Sequence, residues 1–533
     1  MVFSSTVFLC LFLPVVLGLY LIIPGRFRNL FLFLASLVFY AWGEPVYVLL
    51  MVFSTCINYG AGLLLERNDE KDACRKLLLI LSLIVDLGLL CFFKYTNFLI
   101  ENVNTLTGAG LKLLKLTMPI GISFYTFQAL SYVIDVYRRT VPVQHSLIDF
   151  GMYISLFPQL IAGPIVRYAD VEKQLANRPT DLSSITCGIF RFTLGLAKKV
   201  LLANSRGQLF DAVYATGGRV SALSAWLGAL AFMLQIYFDF SGYSDMAIGL
   251  GYMFGFEFPE NFRYPYEAAS ITDFWRRWHI TLGTWFREYV YIPLGGNRKG
   301  LPRQILNLLI VWFLTGLWHG AGWNFILWGL YFFVVLVIEK VFLLKLYQKL
   351  PAWVPHLVTL LLLLFSWVIF ACDDVTVLTA YIASFFGANG LLDELGLFLG
   401  SGYGILLLVG AVCATRLPKL VWQKLWGGER LSAGRTSKPF ADVFAESAAK
   451  TSTDTAAGAS ADASPEFSAE TAAESSTDAM AESSADASPE SSADSSSNVA
   501  GLALRAILCF ALLALCLAVI VSESYNPFLY FRF

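Results

Sequence analysis

Charge is what this chain lacks most. Only 14% of its 533 residues are Asp, Glu, Lys or Arg, against about 25% in an average soluble domain. Such a composition excludes a water-soluble fold of this length, and nucleic acid is not among the expected partners. The nine cysteines include no CxxC pair and no Cys/His spacing suited to zinc, so neither a disulfide framework nor a bound metal is expected. No basic residue precedes Arg26 and no small-residue cleavage site follows the first apolar segment, which reads as a retained helix and not a signal peptide.

What the chain has instead is apolar length. Hydrophobic residues make up 57% of it, and runs approaching the ~20 residues that cross a bilayer recur almost throughout. They occupy 3–23, 28–42 continuing through Gly43-Glu44-Pro45 into 46–65, 77–93, 222–240, 305–318, 323–346, 357–372, 403–421 and 501–521. Other runs are broken by Gly, Pro or charge, so ten to thirteen helices are expected, some re-entrant. Arg26 and Arg28 after the first run, and "ERNDEKDACRK" at 66–76, mark cytoplasmic loops. The N-terminus then lies outside.

One stretch departs from this pattern. From Gly428 to Asn498 the sequence turns to Ser, Ala, Thr, Asp and Glu, with "ADASPE" at 461 and again at 485. Twelve acids face one lysine between 441 and 500, so the membrane body outside it is net basic. Such a segment buries too little apolar surface to offset chain entropy and reads as a disordered acidic insert. The basic cluster around its start, Arg416 to Lys438, argues for a cytoplasmic loop. The expected organisation is a membrane body at 1–427, the insert at 428–498, and a last helix with an outer C-terminus at 499–533.

Histidine is equally scarce, with four in all. His145 lies in a polar stretch and His356 opens an apolar one, where an imidazole at the membrane surface needs no special role. His319 differs. It sits in "TGLWHGAGWNFILWGLYF", 315–332, between two strongly apolar segments, with Gly316, Gly320 and Gly322 clearing space around it. An imidazole withdrawn from water favours its neutral form, the form able to take a proton from a hydroxyl. His279 lies in "ITDFWRRWHITLGTWFREYVYIPLGGNRKG", 271–300, whose Phe274, Trp275, Trp278, Leu282, Trp285 and Phe286 recur at near-helical spacing. That stretch reads as an amphipathic helix at the inner membrane interface, its arginines placed to meet a phosphorylated donor. Asp239 and Asp245, within 234–266, are acids at membrane depth expected to pair with arginines or backbone. "PQLIAGPIVRY", 158–168, suggests a discontinuous helix.

Together "MPIGISFYTFQALSYVIDVYR" (118–138), "FPQLIAGPIVRY" (157–168), "QIYFDFSGYSDMAIG" (235–249), "ENFRYPY" (260–266), "FWRRWHITLGTWFREYVYIPLGGNR" (274–298), "GLWHGAGWNFILWG" (316–329) and "NPFLYFRF" at the end resemble the membrane-bound O-acyltransferase family, in particular its bacterial branch that O-acetylates alginate and related polysaccharides. The resemblance covers residues 1 to about 420 and the last helix; the insert alone departs from it. It implies an all-α polytopic fold, a ring of transmembrane and re-entrant helices around a central tunnel. It also implies that His319 is catalytic and that His279 is a second histidine associated with activity.

The reaction expected on this basis moves an acyl group, acetyl above all, from a cytoplasmic thioester such as acetyl coenzyme A, with no resident cofactor. The donor would bind near Arg276, Arg277, Arg287 and Arg298. Asn324 and the Trp318 indole are candidates to hold the oxyanion. Tyr530 in "FLYFRF" is a candidate relay, with interfacial anchoring as its other reading. The expected partners are membrane lipid, a polysaccharide acceptor and an extracytoplasmic acetyltransferase or esterase-like protein, at a bacterial inner membrane. Two other readings stand beside this one: D-alanyl transfer to teichoic acid, and a transporter or flippase for a lipid-linked sugar.

Overall fold

The computed structural model describes residues 1–178, 180–426, 491–522 and 525. Among them helices are the only extended regular elements. The chain opens with α1 (Phe8–Ile22), α2 (Arg28–Ala41), α3 (Tyr47–Arg67) and the long α4 (Asp72–Thr107). There follow α5 (Ile122–Tyr137), α6 (Leu147–Ser155), α7 (Phe157–Leu160), α8 (Tyr168–Ala176), α9 (Leu182–Ala197) and α10 (Asn204–Tyr214). The central α11 (Ala222–Met253) leads to the short α12 (Ile271–Trp275) and α13 (Ile280–Phe286), then to α14 (Gly300–His319) and α15 (Trp323–Tyr347). The remaining helices are α16 (Trp353–Ala371), α17 (Val375–Phe385), α18 (Glu394–Cys413), α19 (Leu417–Trp426) and α20 (Ser491–Ser522).

Seven described helices, α3, α4, α11, α14, α15, α16 and α18, are long and apolar enough to cross a membrane, and three shorter apolar helices accompany them. Ten to thirteen were expected. The seven and the three shorter ones make ten among the described residues, and other apolar runs fold as short pieces: 28–42 becomes the 14-residue α2, about 21 Å long and too short to span. The run 403–421 is also displaced. Asp393 caps α18 through Gly396 N, so that helix starts earlier than expected and ends at Cys413, and the basic residues after it belong to α19.

Two compact units divide the chain, Met1–Leu425 with Leu508–Phe533, and Trp426–Ile507. The expected insert at 428–498 lies mostly outside the described residues, and α20 begins within it at Ser491. In the first unit, Tyr525 Oη donates to Asp211 Oδ2 at 2.6 Å, which ties the end of the described chain to α10.

The core is built on α11, whose most apolar window is 78% buried. It packs antiparallel on α9 through two pairs of glycines. A Cβ at Gly188 would stand 2.5 Å from Gly249 O, and one at Gly195 2.5 Å from Gly242 O. Spaced seven apart on both helices, these glycines bring the two backbones into contact, as membrane helix interfaces built from small residues do. The acids of α11 are paired, with lysines as well as arginine. Asp239 meets Lys199 at 2.6 Å, while Asp245 meets Lys198 at 2.6 Å and Arg191 at 2.8 Å.

Helix α4 has its polar face inward. Arg75, Ser82, Asp86 and Lys94 are buried, whereas Leu77, Ile80, Leu81 and Ile84 are exposed. That is the pattern of a helix surrounded by lipid, with its polar groups turned toward protein. The stretch 161–167 leaves helix after α7 while staying mostly buried, which gives "PQLIAGPIVRY" its break.

Candidate active site

The helical hairpin α14–α15 positions His319. Helix α14 ends at His319 because Gly320 and Gly322 are both extended (φ −168° and −153°), and α15 starts at Trp323. The two helices touch along glycines. A Cβ at Gly316 would lie 2.5 Å from Phe325 O, and one at Gly329 would strike Trp312 O. The resulting fixed register turns Trp328 of α15 edge-on to the His319 ring at 4.9 Å; Trp318 lies at 5.1 Å and Phe370 of α16 at 5.4 Å. The imidazole is 8% exposed, in a wall of aromatic rings.

Helix α4 closes the end of α14. Lys94 Nζ donates to Trp318 O and, at 3.3 Å, to His319 O, while Tyr95 Oη donates to Leu317 O. The last carbonyls of a helix have no partner within it and carry partial negative charge, so a buried ammonium there satisfies both needs.

His279 approaches the same place from a broken segment. The sequence pattern suggested one amphipathic helix over 271–300, but the structure divides it: α12 ends at Trp275, His279 takes a left-handed conformation (φ 45°, ψ 52°), and α13 starts at Ile280. The expected interfacial face is also largely inside the protein, with Phe274, Trp278, Leu282, Trp285 and Phe286 buried. The break is a tertiary effect. Asn261 O accepts from Ile280 N at 3.0 Å, and Asn261 Oδ1 sits 3.1 Å from His279 Nδ1. Buried Glu339 holds α12, its carboxylate accepting from Ile271 N at 2.7 Å and Thr272 N at 2.8 Å.

The two histidines share Trp318. Its indole centroid is 5.8 Å from the His279 ring and 5.1 Å from that of His319. Burial, reinforced by His319, holds the pKa of His279 well below the ordinary histidine value, so its ring is neutral. Of the oxyanion candidates, Trp318 thus contacts both histidine rings, while Asn324 commits an amide hydrogen to Phe370 O at 2.8 Å. Arg276, Arg287 and Arg298 are exposed and Arg277 is half-buried against Asp273 at 3.0 Å. Arg276 and Arg277 share the turn after α12, and Arg287 and Arg298 lie further along the chain. Tyr530 lies outside the described residues. His145 faces Glu66 at 3.4 Å, and His356 Nδ1 lies 3.1 Å from Ala268 O.

A family model for membrane-bound O-acyltransferases matches residues 41–378. The chain belongs to this family. It is 45% identical over 400 residues to the probable alginate O-acetylase AlgI of Pseudomonas aeruginosa, covering 74% of this chain and 77% of that protein. It is 35% identical over 426 residues to the peptidoglycan O-acetyltransferase of Helicobacter pylori (73% and 81%), and 26% identical over 246 residues to the teichoic acid D-alanyltransferase of Bacillus subtilis (44% and 62%).

As a multi-pass membrane-bound O-acyltransferase, the protein surrounds its two buried histidines with residues that the sequence did not single out. Lys94 had a signal, a lone lysine inside an apolar run. Glu339 had the same signal as a lone acid in "VVLVIEKVFLL". Asn261 stood in the motif "ENFRYPY" without an assigned role, and Trp328 and Phe370 look like any other core aromatics until folded.

Proposed function

We propose that this enzyme transfers an acetyl group from a cytoplasmic thioester, acetyl coenzyme A above all, for O-acetylation of a cell-envelope or extracellular polysaccharide such as alginate, with His319 as general base. The observation that carries this reading is the His319 imidazole, desolvated among Trp318, Trp328 and Phe370 at the end of a clamped helix. A neutral ring there takes the proton of an acceptor hydroxyl as the oxygen bonds to the thioester carbonyl carbon. The carbon–sulfur bond then breaks, and the imidazolium returns its proton to the departing thiolate. The names of the alginate and peptidoglycan relatives support acetyl transfer to a polysaccharide.

The direct test follows a labelled acetyl thioester with purified protein. His319→Ala should lower transfer by about 10²-fold or more while the protein keeps its thermal transition; an undiminished rate removes His319 from the mechanism. Mass spectrometry of envelope polymers with and without the gene separates acetyl from D-alanyl esters, the alternative carried by the Bacillus subtilis relative. A further step is proposed on sequence alone. Tyr530 accepts the acyl group transiently on the outer side and passes it toward an extracytoplasmic acetyltransferase or esterase-like partner. Tyr530→Phe should then abolish polymer acylation and spare thioester hydrolysis, and full acylation in that variant rejects the relay.

A further inference from the structure

The orientation of one amide decides which nitrogen of His279 is a base. Asn261 Oδ1 lies 3.3 Å from Thr281 N and 2.9 Å from Thr281 Oγ1, while Asn261 Nδ2 donates to Ser244 Oγ at 3.0 Å. Thr281 N–H can only donate. Turning the Asn261 amide over would set its own hydrogens against that N–H, so the atom facing His279 Nδ1 must be the oxygen. Carbonyl oxygen only accepts. Nδ1 therefore carries the single proton of the neutral ring, and Nε2 keeps a bare lone pair.

Nε2 is buried and has no hydrogen-bond partner among the described residues, on a residue only 1% exposed. An unsatisfied buried acceptor is costly, and a left-handed backbone at a non-glycine residue adds to that cost. Both persist here because Asn261 grips the segment at side chain and backbone alike. An acceptor held bare at such cost, beside an indole that also contacts His319, is placed to receive a hydrogen from something bound between the two histidines.

We propose that Asn261 is a positioning residue for acyl transfer: it locks His279 as the Nδ1–H tautomer, so that Nε2 accepts a hydrogen bond from the bound substrate. This rests on the reading of the site as the acyl-transfer centre. The donated hydrogen belongs to a hydroxyl of the acceptor next to the reacting one, or to an N–H of the thioester's arm. No bond to His279 is made or broken, and the reacting proton stays with His319.

Full-length protein labelled with ¹⁵N-histidine tests this, since four histidines give an assignable spectrum and His279→Gln identifies the signal. The expected result is an Nδ1–H form in the unaltered protein, lost in Asn261→Leu together with a fall of about tenfold or more in transfer. Asn261→Asp still offers oxygen to Nδ1, so it keeps the tautomer and most of the rate. Its added charge stabilises the imidazolium, and the rising limb of the pH–rate profile moves to higher pH. Thioester hydrolysis that survives in Asn261→Leu assigns the donated hydrogen to the acceptor; hydrolysis that falls in parallel assigns it to the thioester arm. An Nε2–H form in the unaltered protein, a tautomer and rate unmoved by Asn261→Leu, or an unshifted limb in Asn261→Asp each overturns the proposal and leaves the role of His319 standing. A His319→Ala variant of full activity overturns the reading of the site but not the tautomer.

Discussion

Lys94 is a charge that the apolar pattern treats as an ending. The run of hydrophobic residues stops at 93, yet the helix continues to Thr107, because the ammonium has the terminal carbonyls of α14 to bind. The burial of His319 was legible from its sequence neighbours, since glycines and indoles around a lone imidazole are local facts. Its clamp was not, because the partners are more than two hundred residues apart. Replacing Lys94 with Met keeps the bulk and removes the donors. The two carbonyls then stay buried without a partner, at a loss of about 1–3 kcal/mol, offset in part by the desolvation of the ammonium that no longer has to be met. The net expectation is a lower melting temperature and an acyl-transfer rate down about tenfold as the end of α14 loosens. A Lys94→Met protein equal to the original in both measurements would show that the clamp does nothing for the site.

Among the helices, the α14–α15 hairpin ties packing to chemistry. Its glycines were visible in the sequence as room for a ligand, but most of that room is taken by the facing helix: Phe325 O lies where a Gly316 side chain would go. The helical period of 271–300 was legible too. The break at His279 was not, because a left-handed histidine has no local signal and follows from Asn261, eighteen residues earlier. Gly316→Ala should separate α14 from α15 by a few tenths of an ångström or more and shift Trp328 against His319. Overpacking of this kind costs about 1–3 kcal/mol, and transfer should fall along with thermal stability. Gly60→Ala and Gly88→Ala supply the comparison, since a Cβ at either meets nothing within 4 Å. They should stay within about 0.5 kcal/mol of the parent. If all three variants behave alike, the hairpin contact is not what fixes the histidine.

For the molecule as a whole, composition alone announced the membrane, and the order of motifs announced the family; orientation has to be argued from charge and geometry together. Helix α4 has 36 residues, about 54 Å at 1.5 Å per residue, enough to carry its two ends to opposite sides of a ~30 Å hydrocarbon core. Arg67, Lys71, Arg75 and Lys76 gather at its start, against Lys112 and Lys115 beyond its end, which predicts a cytoplasmic start. Helix α14 gives the same answer, with Arg298, Lys299 and Arg303 at its start and no Lys or Arg from 320 to 339. The two assignments are coupled, because Lys94, late in α4, grips residues 318 and 319 at the end of α14; the helices run in parallel, and reversing one reverses both. A membrane-impermeant thiol reagent checks this on Glu70→Cys and Lys112→Cys, each in a Cys74→Ser background. Residue 70 should react only after the membrane is opened and residue 112 while it is still sealed. The opposite pattern would turn the His319 end of α14 toward the cytoplasm and reverse the direction of the transfer proposed above.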